Sequence, residues 1–128
     1  VYKRQNQSIF DGIPEHHSLE HCLKYLGFNM NPVYCGGNEP IFQEREQWSD
    51  GANAFTLEPG KIISYARNHE TLKELEKSGY KSVDAVKFCT DKNRWLSYKG
   101  NLTITIDSAE LPRGRGGPRC LTLPMDRA

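Results

Sequence analysis

Residues 54–79 constrain the fold of this chain more than any other stretch. Ala54-Phe55-Thr56-Leu57 and Ile62-Ile63-Ser64-Tyr65 are short segments rich in apolar, β-branched and aromatic residues. Glu58-Pro59-Gly60-Lys61 lies between them. Proline and glycine in that tetrapeptide favour a tight reversal, so the segment reads as a hairpin. Asn68 then stands where a helix cap belongs, Leu72 and Leu75 share one helical face, and Glu70 and Glu74 precede Lys73 and Lys77. Gly79 marks the stop. A hairpin followed at once by an amphipathic helix predicts a sheet covered on a face by helices, a mixed α/β arrangement.

The flanking segments fill out that pattern. Leu19, Cys22, Leu23 and Leu26 fall on one helical face between Ser18, a candidate cap, and Gly27, a candidate stop, which predicts a helix over 18–27. Val33-Tyr34-Cys35 reads as a short strand ending at Gly36-Gly37, and Glu44 to Trp48 as one helical turn. Ser82 to Phe88 and Leu102 to Ile106 read as strands, and residues 120–124 as a last one stopped by Pro124. The stretch from about Val86 to Asn101 is expected as an extended hairpin or surface loop, with Trp95 and Tyr98 packing on the domain or on a neighbouring subunit. Residues 6–16 read as coil, with Gly12 and Pro14 as breakers.

A chain of 128 residues fits one domain at most. With 17 Lys and Arg against 16 Asp and Glu, the net charge of +1 argues against a polyanion as main partner. No apolar run is long enough to cross a bilayer and no signal peptide is visible, so neither nucleic acid nor membrane is expected as a partner. Cys22, Cys35, Cys89 and Cys120 include no Cys-x-x-Cys pair, which makes a zinc site improbable; no metal is expected. The four read as free thiols of a reducing compartment, hence a cytoplasmic protein. Val1 to Gln5 look like read-through of a sequencing-library adapter. They are expected to be non-native, with residues 6–128 the tail of a longer reading frame.

The chemistry concentrates in Arg113-Gly114-Arg115-Gly116-Gly117-Pro118-Arg119-Cys120. Glycines let the backbone turn where a side chain would clash. Pro118 restricts Gly117 to extended conformations. Three arginines lie within seven residues, and a cation beside a cysteine favours the nucleophilic thiolate. The picture is a flexible cationic arm that delivers a thiol to the lip of a sheet. Two other readings of the run stay open: a plain structural cysteine, and an Arg-Gly segment that binds single-stranded nucleic acid.

Context narrows them. Gly36-Gly37-Asn38, Glu44-Arg45-Glu46-Gln47-Trp48-Ser49-Asp50-Gly51-Ala52-Asn53, Glu58-Pro59-Gly60 and Tyr65-Ala66-Arg67-Asn68 precede the Arg-Gly-Cys run in that order. This succession resembles the C-terminal part of bacterial arginine deiminases, of the guanidino-group-modifying (pentein) superfamily, over roughly residues 17 to 128. The resemblance implies a partial pentein, an α/β propeller of which this chain would supply somewhat less than two of five ββαβ units. Sheet edges and helix faces would then lie partly bare, with marginal stability and a tendency to aggregate.

The resemblance also implies hydrolysis of L-arginine to L-citrulline and ammonia, with Cys120 as nucleophile and no cofactor. Arg115 and Gly114 are implied as substrate-binding residues, the first moving with the loop and occupying the site when substrate is absent, the second meeting the substrate's amino-acid end through its backbone. The complete protein is expected as a homo-oligomer. Such a reaction needs a histidine acid/base and carboxylates that grip the guanidinium. In the family these sit in upstream Glu-Gly-Gly-Asp, Gly-Glu-Arg and His-Leu-Asp motifs, none of which occurs in this sequence. His16, His17, His21 and His69 read as exposed helix residues, so the 128 residues alone are not expected to turn over arginine. Glu44, Arg45 and Glu46 are expected to form a local ion-pair network with Trp48 as packing anchor, and Asp50 and Asn53 to be turn residues bonding their own backbone. Ala66, Arg119 and the 86–101 stretch depart from the family pattern. An amidinotransferase or dimethylarginine hydrolase of the same fold, and an RNA-binding module using the Arg-Gly loop, remain as alternatives.

Overall fold

The computed structural model describes residues 18–114, 116–123 and 125. The chain divides into two compact units, Val1–Pro32 and Val33–Ala128. In the first unit, helix α1 spans Leu19–Tyr25, as its periodicity predicts. The Ser18 hydroxyl accepts from the His21 amide, Lys24 pairs with Glu20 one turn back, and Gly27 takes the left-handed φ of +84° that closes the helix. Only part of the expected apolar face is covered: Cys22 and Leu23 are half-buried, whereas Leu19 and Leu26 are exposed.

The second unit is built on one mixed sheet. Helix α2 (Pro40–Trp48) leads into the hairpin β1 (Phe55–Glu58) and β2 (Lys61–Tyr65), then helix α3 (His69–Lys77), strand β3 (Tyr80–Asp84), helices α4 (Ala85–Thr90) and α5 (Lys92–Leu96), and strand β4 (Asn101–Ile106). A 3-10 turn over Leu111–Gly114 follows. The strand order is β1-β2-β4-β3; β1 and β2 are antiparallel, and β4 runs parallel to both β2 and β3. Strands β2 and β3 both pair with β4 because each is followed by chain long enough to cross over; only the hairpin can reverse directly.

The register places Ile63, Ile104 and Val83 side by side across β2, β4 and the edge strand β3. They pack with Leu102 and Trp95, and Ala85 and Phe88 of α4 close the cluster. Tyr98 stacks edge-on to Trp95 at 6.3 Å between ring centres. Central strand β4 is buried from Leu102 through Thr105, as expected of a strand with a neighbour on each side. Leu102 is fully buried. Leu102→Ala is therefore expected to cost about 3 kcal/mol of unfolding free energy, read as a lowered denaturation midpoint.

Several sequence expectations give way. The strand expected over Ser82 to Phe88 is instead β3, beginning at Tyr80 and stopped at Asp84, whose carboxylate accepts from the Val86 amide at 2.8 Å and starts α4. An N-cap aspartate turns the chain out of the ladder despite the β propensity of Val86 and Phe88. The loop expected up to Asn101 is therefore largely helical, and its Trp95 does pack on the domain. Glu44 to Trp48 belongs to a longer helix, because Pro40 at the first helical position is pre-set for it. Val33-Tyr34-Cys35 forms no strand; a turn begins at Cys35 and the Gly37 amide bonds to Tyr34 O. Residues 120–123 form no strand either. The Cys120 and Thr122 amides are spent on local turns, to Gly117 O and Arg119 O, so they are not available to a ladder; Pro124 lies outside the described residues.

The core is small for the amount of apolar surface. Ile41, Trp48, Leu57, Val86, Leu96, Leu111, Leu121, Leu123 and Met125 are all exposed. Among the described residues, no helix is long and apolar enough to cross a membrane.

Candidate active site

The end of α2 sets the geometry of the site. Ser49 closes the helix, Asp50 follows with a left-handed φ of +58°, and the Gly51 and Asp50 amides return to Glu46 O and Gln47 O. This is the Schellman arrangement, with an aspartate where glycine is commoner. Asp50 Oδ2 is buried without a hydrogen-bond partner. Gly51 is required for room: a Cβ there would lie 2.6 Å from Cys35 Sγ and 3.0 Å from the Glu46 carbonyl.

Glu46 is fully buried and ties this helix end to α3. Its carboxylate accepts from the Glu70 amide at 3.0 Å, the Thr71 amide at 2.8 Å, the Thr71 hydroxyl at 2.7 Å and Arg45 Nη2 at 2.8 Å. Burial alone would raise the carboxyl. The two amides, the hydroxyl and the guanidinium outweigh burial and hold it below its ordinary 4.5. Glu46 thereby caps α3 from a distance, at the positive end of the helix dipole. Asn68, expected to cap α3, occupies the cap position without capping: its carboxamide donates to Ser49 O and accepts from Ser49 Oγ. The expected local ion pair is present between Arg45 and Glu46, and the network also reaches α3 over a long range. Trp48 is not its packing anchor, being 59% exposed; helical spacing turns it away from the face that carries Glu46.

An open cleft of about 690 Å³ lies beside this junction, lined by Tyr34, Cys35, Gln43, Gln47, Asp50, Ala52, Asn53 and Arg119. Cys120 stands next to Arg119, exposed on the turn over residues 118–121. Asn53 Nδ2 donates to Cys120 Sγ at 2.9 Å, and Asn53 Oδ1 accepts from the Arg119 amide at 3.2 Å. Asn53 is therefore not the self-bonding turn residue expected; its side chain serves the loop that carries the thiol.

The fully buried Tyr65, at the end of β2, holds the same loop by donating to Gly116 O at 2.7 Å. Burial raises its phenol above the ordinary 10.0; the nearby Ser108 hydroxyl opposes this in part, and Asp50 and Cys120 add to the rise. The phenol accordingly remains a donor at neutral pH.

The other expected site residues are less engaged. Gly114 ends the 3-10 turn, exposed, and a Cβ there would meet nothing within 4 Å. Arg115 lies outside the described residues. Arg113 is spent on an exposed ion pair with Glu110, while Arg119 faces the cleft. The glycine that matters sterically is Gly117. Its φ is not left-handed, but a Cβ would fall 2.3 Å from Asn53 Cβ and 2.4 Å from Cγ. Gly117→Ala is expected to drive Asn53 and the loop apart, shifting amide resonances at 53 and 116–120 and leaving those of β4 in place.

Among the described residues no histidine lines the cleft; His69 is exposed at the start of α3, and His16 and His17 lie outside the described residues. All four cysteines are unbridged. The sequence pointed to Glu46 only as part of a local network and to Asn53 only as a turn residue, and gave Tyr65 no role on the loop, because the partners that define these roles lie tens of residues away.

Comparison with known proteins places the whole chain. The family profile for arginine deiminase matches residues 5–127. The chain belongs to the arginine deiminase family. It is 41% identical over 103 residues to the arginine deiminase of Borrelia duttonii (strain Ly), covering 80% of this chain and 20% of that protein. Identity to the Clostridium perfringens (strain SM101 / Type A) arginine deiminase is 37% over 116 residues, covering 90% and 23%. Identity to that of Mycoplasma capricolum is 40% over 101 residues, covering 79% and 20%. The chain thus spans about a fifth of the length of these arginine deiminases.

Proposed function

We propose that this chain is the thiol-bearing part of an enzyme that hydrolyses L-arginine to L-citrulline and ammonia, with Cys120 as nucleophile. The exposed Cys120 sulfur, held at 2.9 Å by Asn53 beside an open cleft in an arginine deiminase family chain, carries the reading. The Cys120 thiolate attacks the guanidinium carbon. The resulting tetrahedral adduct takes a proton on one terminal nitrogen and expels ammonia, leaving an amidino-thioether on sulfur. Water adds to the same carbon, the C–S bond breaks, and citrulline leaves with the thiolate restored. The sum is arginine plus water giving citrulline plus ammonia, with no redox change. A covalent intermediate divides one difficult step into two easier ones.

Gly114 meets the amino-acid end of the substrate through its backbone, and Arg115 is a substrate-site residue that moves with the loop and occupies the site when substrate is absent. The order β1-β2-α3-β3 gives one ββαβ unit and β4 begins further structure, so the chain supplies somewhat less than two of the five units of a propeller whose other blades come from the rest of a longer, cytoplasmic, homo-oligomeric protein. The acid/base histidine and guanidinium-binding carboxylates belong to those other blades, so the 128 residues alone release no citrulline.

The test is a chimera. The 116 matching residues of the Clostridium perfringens arginine deiminase are replaced by the corresponding stretch of this chain. Citrulline and ammonia are expected in equal amounts, and none from the isolated chain. Amidine transfer to an acceptor amine without ammonia would overturn the hydrolase reading.

A further inference from the structure

We infer that Asn53 is a positioning residue that sets the direction of the Cys120 sulfur; this rests on Cys120 being the nucleophile. The orientation of the carboxamide is determined by its partners. The Arg119 amide is a donor and needs the carbonyl oxygen, at 3.2 Å, which leaves the Nδ2 donor for sulfur at 2.9 Å. Both ends of one side chain are therefore committed to consecutive residues, the backbone of Arg119 and the sulfur of Cys120. The body of the Asn53 side chain fills the place where a Gly117 Cβ would stand, so the loop and the carboxamide fit only because residue 117 is glycine.

Asn53 itself is held from behind. Its amide bonds to Asp50 O at 3.0 Å, and Asp50 belongs to the hydrogen-bonded end of α2. Tyr65 fixes the loop from the other side through Gly116 O. A cysteine exposed on a turn has three staggered χ1 wells open to it. One donor aimed at sulfur selects one of them, and attack on a planar carbon requires the sulfur lone pair to be directed.

Two measurements test this. In the 128-residue chain, Hα–Hβ couplings of Cys120 are expected to report one χ1 rotamer in the parent and averaging in Asn53→Ala, with β4 amide shifts unchanged. In the chimera, Asn53→Ala is expected to lower kcat about tenfold while KM stays within twofold, since the lost contact is to the nucleophile and not to the substrate. Asn53→Asp keeps the acceptor for Arg119 but loses the donor, and is expected to be no better than Asn53→Ala. A single retained rotamer in Asn53→Ala, an unchanged kcat, a loss confined to KM, or full activity of Asn53→Asp would each overturn the inference while leaving the nucleophile reading intact. A fully active Cys120→Ser chimera would instead overturn the nucleophile reading and the inference with it.

Discussion

Cys120→Ser in the chimera is expected to reduce citrulline release to the assay floor, a fall on the order of a million-fold in kcat, as for other enzymes stripped of a covalent nucleophile. A serine hydroxyl is far less ionised at neutral pH than a thiol, so the replacement is a far weaker nucleophile. Because Cys120 is exposed on a turn and contributes nothing to the apolar cluster, the substitution should leave the melting temperature nearly unchanged. A comparison with Cys89→Ser, an exposed cysteine that does not line the cleft, isolates the effect. Residual activity above about one per cent in Cys120→Ser would end the proposal that this sulfur carries the chemistry. Acid quenching of the parent during turnover should trap an amidine adduct on the peptide that contains Cys120.

Glu46→Ala is expected to destabilise the second unit by about 3 kcal/mol or more, since it leaves the Glu70 and Thr71 amides at the start of α3 without their acceptor and opens a void where a fully buried side chain stood. Small domains have only about 5–15 kcal/mol in total, so the variant should populate unfolded chains visibly. Glu46→Gln keeps one acceptor oxygen and most of the volume and should cost roughly half as much. The pH dependence follows from the direction of the carboxyl shift. The folded value lies below the ordinary 4.5, so the unfolded chain binds the proton more readily. The stabilisation from the carboxylate is fully present above about pH 5, and is lost as the pH falls through 4.5 toward the lower folded value. Glu46→Gln should lack this component, so the difference in stability between parent and variant should narrow on acidification. Equal stability of Glu46→Ala and parent at pH 7, or a gap that widens toward pH 3, would refute the capping role.

The elements that could be read from the chain are those governed by neighbours within a few residues. The hairpin at Glu58-Pro59-Gly60-Lys61, the two i,i+3 ion pairs of α3 and the stop at Gly79 all appear where they were expected. The local readings that failed did so where two propensities compete over the same residues. Val86 and Phe88 favour strand, but the Asp84 carboxylate starts a helix; Leu121 and Leu123 alternate like a strand, but the amides of Cys120 and Thr122 are already used in turns. The thiol was legible because glycines, arginines and a cysteine cluster in eight residues of sequence. Its partners were not, because Asn53 and Tyr65 are ordinary residues until the chain brings them to it.

That division has a physical origin. Backbone torsion preferences and helix or strand periodicity are short-range, so the α/β alternation, the glycine-rich arm and its cysteine are written in the order of the residues. Which donor meets which acceptor is long-range: Glu46 could cap its own neighbourhood or α3, and Asn68 could cap α3 or bind Ser49. Folding chose the second in both cases, because burying a carboxylate is tolerable only where several donors converge on it, and only the packed helices bring them together.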